Sequence, residues 1–250
     1  MVMRINCFFA VVLALAAVPA FAVFTNAPGY PMGPEVQANA TPDSQAPDVA
    51  YDAFGDSVVV WQAAEGIHAQ RFDVMGHKVG GDFRVDDPPT PGATNPRVAM
   101  SEAGGFVVVW ETVTHYVLVQ RFDPDGSPRG KPAKVEISTE QHYPDVAMQP
   151  GGVYVVSWER VLPDTPAAIF AQGFKVVDGF PAGPLVAINA DAGREAHAPA
   201  MASDGDGNLV FAWNGPTNVQ WRRFGADLVA LDANDRVAGP HAGDAGRPGL

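Results

Sequence analysis

Apolar residues in this chain come in short unbroken runs rather than at helical spacing. Four runs stand out: GDSVVVWQ closing at Gln62, GGFVVVWE at Glu111, GGVYVVSWER at Arg160 and GNLVFAWN at Asn214. Each follows a turn-forming stretch and ends beside a tryptophan: Trp61, Trp110, Trp158 and Trp213. A run of about six residues is too short for a helix that buries a face, and its valines are β-branched, so each run predicts a strand. Alternation is absent. In the second copy Phe106, Val108 and Trp110 fall on one pleat face and Val107 and Val109 on the other, which predicts a strand covered on both sides.

The runs are parts of a longer repeat. Anchor prolines at Pro47, Pro96, Pro144, Pro199 and Pro248 are separated by 49, 48, 55 and 49 residues. Each anchor opens a short first strand, a turn follows, and the tryptophan strand comes second. A third strand reads IHAQRFD (Ile67 to Asp73), VLVQRFD (Val117 to Asp123), IFAQGFK (Ile169 to Lys175) and VQWRRFG (Val219 to Gly225). A fourth is expected at Phe83 to Val85, Ala133 to Ile137, Leu185 to Ile188 and Arg236 to Val237. The turns between them are rich in Gly, Asp, Asn and Pro, as tight turns require.

Four short antiparallel strands per unit of this length predict an all-β fold of β-propeller type. An immunoglobulin-like sandwich needs about 100 residues per domain, and an outer-membrane barrel needs longer, alternating strands. The expected organisation is a partial blade at 23–45, complete blades at 46–94, 95–142, 143–197 and 198–246, and a stub at 247–250. Such an arrangement reads as an incomplete or truncated array, with an apolar face left over as an aggregation liability. Each tryptophan at the shared position can bury roughly 150–250 Å², so the four are core positions, as are Phe72, Phe122, Phe174 and Phe224.

The run GGFVVVW followed by VQRFDPDGSPRG resembles the tandem repeats of about 50 residues found in large secreted bacterial proteins, some adhesin-like or carrying calcium-binding repeats. The likeness spans roughly residues 23–250, is best in the first two repeats, and weakens at Gly173-Phe174-Lys175 and Trp221-Arg222-Arg223. It implies an extracellular scaffold and attaches no catalytic residue to the motif.

The first 22 residues differ from the rest. Arg4, the apolar segment Cys7 to Val18 and the small-x-small triplet Ala20-Phe21-Ala22 predict a signal peptide cleaved after Ala22. The only cysteine, Cys7, would leave with it, and so would Arg4. That leaves 15 basic against 28 acidic side chains and a net charge of about -13, one unit below the -12 of the whole chain. The field disfavours nucleic acid and anionic membranes. A secreted, periplasmic or surface location follows, without membrane insertion after cleavage, and with an unidentified protein or carbohydrate as partner.

Candidate chemistry lies in the loops that vary between repeats. The loops from second to third strand (QAAEG, ETVTHY, ERVLPDTPAA, NGPTN) share a propeller face with the connections between blades. Glu111, His115, Tyr116, Glu159, Arg160 and Asp164 are the candidate ligand-binding residues there. The connections add Asp86, Asp87, His142, Tyr143, Asp191, Arg194, Glu195 and His197. No catalytic signature is present: no GxSxG, no HExxH, no Gly-rich phosphate cradle. Asp204, Asp206 and Asn208 place oxygens at alternate positions, as a calcium loop opens, but the closing glutamate is missing. The segment aligns with plain turns, so no cofactor is expected and calcium is the weak alternative. His68, His77 and His241 read as surface residues. The expected function is an exported, non-catalytic binding or scaffold propeller; the alternative is a secreted propeller glycoside hydrolase or lyase using loop carboxylates.

Overall fold

The computed structural model describes residues 35–39, 43–90, 92–136 and 140–238, and the fold below is that of the unit that begins at Val36. The expected leader, residues 23–34 of the expected partial blade, the 247–250 stub and His241 lie outside the described residues. Glu35 to Gln37, within that expected partial blade, carry no strand.

The described strands form four antiparallel sheets of four, each in simple meander order. The first is β1 (Gln45–Tyr51), β2 (Ser57–Ala63), β3 (Gly66–Phe72) and β4 (Lys78–Arg84). The second is β5 (Thr94–Met100), β6 (Phe106–Glu111), β7 (Val117–Phe122) and β8 (Ala133–Lys134). The third is β9 (Glu140–Gln149), β10 (Val153–Val161), β11 (Ala168–Lys175) and β12 (Val186–Ala187). The fourth is β13 (His197–Ser203), β14 (Leu209–Asn214), β15 (Val219–Phe224) and β16 (Arg236–Val237). β4 starts at Lys78 rather than at the expected Phe83, because Lys78 pairs with Phe72 and Val79 with Arg71 before a bulge. In the second and third sheets the corresponding place holds Pro128 and Pro181, which make one isolated bridge each. The fourth sheet makes the same isolated bridge with Ala230 opposite Phe224 and its fourth strand is as short, so the shortness does not depend on a proline there.

The sheets pack face to face as the apolar runs require. β6 is buried at all six positions. Phe106, Val108 and Trp110 pack with Val58, Val60, Ile67 and Ala69 of the first sheet, while Val107 and Val109 pack with Val146, Tyr154, Val156 and Trp158 of the third. A third cluster joins Val155, Ile169 and Ala171 to Leu209, Phe211 and Trp213. β14 is the internal control: Leu209, Phe211 and Trp213 are buried against the third sheet, whereas Val210 on its other face is 42% exposed. The four shared tryptophans are core, at 2%, 0%, 0% and 2% exposure in chain order. The first strands β1, β5, β9 and β13 contact one another in succession, forming the inner row of the array.

The recurring Gln-Arg-Phe-Asp tetrad has a physical account residue by residue. Gln70 and Gln120 are buried, and their Nε2 atoms donate to carbonyls of the fourth-strand segment, Gly80 and Gly130. Where the tetrad lapses in the fourth sheet, Arg222 Nε takes over and donates to Asp232 O at 2.9 Å. The arginine reaches the next sheet: Arg71 to Asp125 O and Arg121 to Val176 O. The phenylalanine is core; Phe122 stacks on Phe106 at 4.7 Å and Phe174 on Tyr154 at 5.5 Å. Asp73 closes the following turn by accepting the amides of Met75 and His77.

Candidate functional site

Each first strand carries one irregularity, immediately ahead of its anchor proline. Ala46, Asn95, Tyr143 and Ala198 all have positive φ, at 46°, 52°, 48° and 48°. The pairing register slips there in all four sheets. A bulge of this kind lifts a residue out of the ladder and re-aims its amide. In the third and fourth sheets that amide meets a carboxylate from the preceding sheet: Tyr143 N donates to Glu111 Oε2 and Ala198 N to Glu159 Oε2, both at 3.2 Å. The glutamate that follows the tryptophan is therefore a tie between blades.

Glu111 gathers more than one amide. Asn95 Nδ2 donates to Oε2 at 3.2 Å, while the Nδ1 atoms of His142 and His115 lie 2.8 Å and 3.2 Å from Oε1. His115 sits at φ 58° in the turn between β6 and β7, which closes through His115 N to Thr112 O. Gln141 N donates to His115 O at 2.8 Å, binding that turn to the connection between sheets. The second–third strand turn and the inter-blade connection therefore meet at one end of the blades. Glu159 repeats the arrangement with His197 Nδ1 at 3.0 Å, and Glu195 stands 3.4 Å from His197 Nε2.

Of the six candidate residues, the structure brings Glu111 and His115 together and places Glu159 in the equivalent position one blade on. Tyr116 is turned to Lys134, whose Nζ lies 3.2 Å from the ring centroid. Arg160 pairs with Glu136 at 3.3 Å and covers the Phe170 ring. Asp164 is exposed at a turn with φ 60°. Asp204 accepts the amides of Asp206 and Asn208 and the Asn208 side chain, the same turn closure that Asp52 and Asp73 make elsewhere. His68 is not a surface residue: its ring stacks on Trp61 at 6.1 Å, because strand pairing sets the two opposite each other.

A second polar row lies on the inner strands. Asp48 Oδ2 accepts Val98 N at 2.9 Å and Asp145 Oδ2 accepts Met201 N at 2.6 Å, again from one sheet to the next. Desolvation, with the Asp48 carboxylate as a minor contributor, pushes Asp145 up to about 6 against the opposing pull of amides and Arg97. Nothing in residue spacing marks these positions; the available signal is that Asp48, Arg97 and Asp145 all follow an anchor proline where an apolar residue would otherwise stand. A cleft of about 550 Å³ lies between Phe83–Pro88 and Gln120–Lys131; Asp87 of the inter-blade connection lines it, and none of the six candidate ligand-binding residues does.

The chain matches no family model and no curated protein. Among solved structures it is similar to a protein of unknown function from Dyadobacter fermentans (TM-score 0.56, 9% identity, 78% of this chain and 68% of that one). It is similar also to an α-L-arabinanase from Penicillium chrysogenum (0.54, 12%, 78% and 67%) and to a Hadza microbial sialidase (0.53, 13%, 80% and 47%). The fold is a β-propeller. The chain spans less than half of the sialidase, and identities this low carry the fold alone. The expectation of a non-catalytic chain is nevertheless corrected: the propellers it superposes on include an arabinanase and a sialidase, which are enzymes, so the fold is one that houses catalysis. No helix among the described residues is long and apolar enough to cross a membrane.

Proposed function

We propose that this chain is an exported propeller that engages an extracellular carbohydrate at the end of the blades where second–third strand turns and inter-blade connections meet. The observation that carries the reading is the clustering there of fixed polar groups, Glu111 with His115 and His142 and Glu159 with His197, beside Tyr143, which is 49% exposed. Sugars are recognised by pre-oriented polar groups that match hydroxyls and by an aromatic face that covers a ring. The presence of arabinanase and sialidase propellers among its fold neighbours supports the same class of ligand.

Hydrolysis of that carbohydrate is the second reading, favoured by one observation: glycoside cleavage needs a carboxyl that holds its proton to higher pH than an ordinary carboxylate, and burial pushes Asp145 up to about 6.

One assay tests both statements. The full chain is incubated with arabinan, other plant polysaccharides and sialylated oligosaccharides, and bound ligand and released reducing ends are measured. Tyr143→Ala is conformationally safe, since Ala46 and Ala198 occupy the same left-handed position, and it should weaken binding at least about tenfold. Asp145→Asn should abolish release while leaving binding intact. No binding across the panel, or binding indifferent to Tyr143→Ala, overturns the proposal.

A further inference from the structure

We infer that Glu111, His115 and His142 form a site for a divalent transition-metal ion of the zinc type. Their three donor atoms lie within 4.8 Å of one another, the one such grouping among the described residues. Both imidazoles aim Nδ1 at a single oxygen, Glu111 Oε1, at 2.8 Å and 3.2 Å. Tetrahedral zinc with bonds of about 2.0–2.1 Å sets its ligand atoms roughly 3.3 Å apart. Two edges of the triangle are already close to that size. A neutral imidazole has only to move its proton from Nδ1 to Nε2 to present a lone pair, and the ion then replaces two hydrogen bonds by three coordinate bonds.

The surroundings are those of a supported ligand set. Glu111 is almost fully buried, and its other oxygen is held by Asn95 Nδ2 and Tyr143 N, the kind of outer contact that orients a metal-binding carboxylate. His142 and His115 are 20% and 47% exposed, so an ion can enter from solvent and keep a fourth position for water. Two nitrogens and one oxygen suit zinc rather than calcium, which takes oxygen ligands.

The neighbouring blade supplies the contrast. Glu159 and His197 reproduce the inter-blade tie, yet the left-handed turn position that holds His115 is occupied there by exposed Asp164. A hydrogen bond between blades therefore needs one histidine, and His115 is additional to it. The same three residues belong to the proposed carbohydrate face, but the metal site does not rest on that reading and is tested without any sugar.

The full chain is titrated with zinc by calorimetry and by competition with a chromophoric chelator. One equivalent should bind saturably. His115→Asn keeps a residue that tolerates positive φ and should lower affinity by more than the roughly 10–100-fold typical of losing a supporting contact. His142→Asn should do the same, and His197→Asn should leave affinity unchanged. Cobalt should show visible bands of a four-coordinate centre that disappear in His115→Asn. Absence of saturable binding, or binding retained in His115→Asn with an unchanged melting curve, overturns the inference.

Discussion

Single residues in this chain repeat their tasks from blade to blade, and the exceptions are informative. Asp48 and Asp145 accept an amide from the next inner strand, and Asp145 is held up to about 6, chiefly by burial. The linkage has a definite sign. Between about pH 4 and 6 the folded state holds a proton that the unfolded state has released, so this site's contribution to stability is present at low pH and is lost as pH rises through 6. Asp145→Asn keeps an acceptor for Met201 N and carries no charge. Its denaturation midpoint should therefore vary less between pH 4 and pH 7 than that of the wild type, as urea unfolding at the two pH values would show. Equal pH dependence in both proteins would mean that Asp145 is not the group responsible.

At the scale of elements, the second strand of each blade was legible because burial on both faces removes alternation. A run such as Phe106–Trp110 has no polar position to hide. Trp158 on β10 is fully buried in the cluster between the second and third sheets. Trp158→Ala should cost about 3–5 kcal/mol in chemical denaturation, whereas Val210→Ala on the uncovered face of β14 should change stability by less than about 0.5 kcal/mol. The fourth strands were less legible. Their ends depend on how far pairing continues beyond the isolated bridges opposite Phe122, Phe174 and Phe224, a matter of ladder hydrogen bonds and not of hydrophobic pattern. The bulge ahead of each anchor proline left no readable signal either, since Ala46, Asn95, Tyr143 and Ala198 share no side-chain chemistry.

For the whole molecule, the same asymmetry separates fold from site. Periodicity reveals the blades, because every blade buries the same positions, while the functional grouping joins residues far apart in sequence. Glu111 and His115 belong to one turn, but His142 and Tyr143 reach them only because the chain re-enters the next blade at that height. Tyr116, Arg160 and Asp164 do not join the grouping: Tyr116 faces Lys134, Arg160 pairs with Glu136 and Asp164 is exposed in its own turn. The proposed carbohydrate face and the cleft between Phe83–Pro88 and Gln120–Lys131 have different linings, so the bound ligand can be located. Hydrogen–deuterium exchange of the full chain with and without the best-binding oligosaccharide tests this most directly. The account predicts slowed exchange confined to residues 111–116 and 140–145 with their neighbours at 195–198; protection centred on 83–88 and 126–131 instead would contradict it.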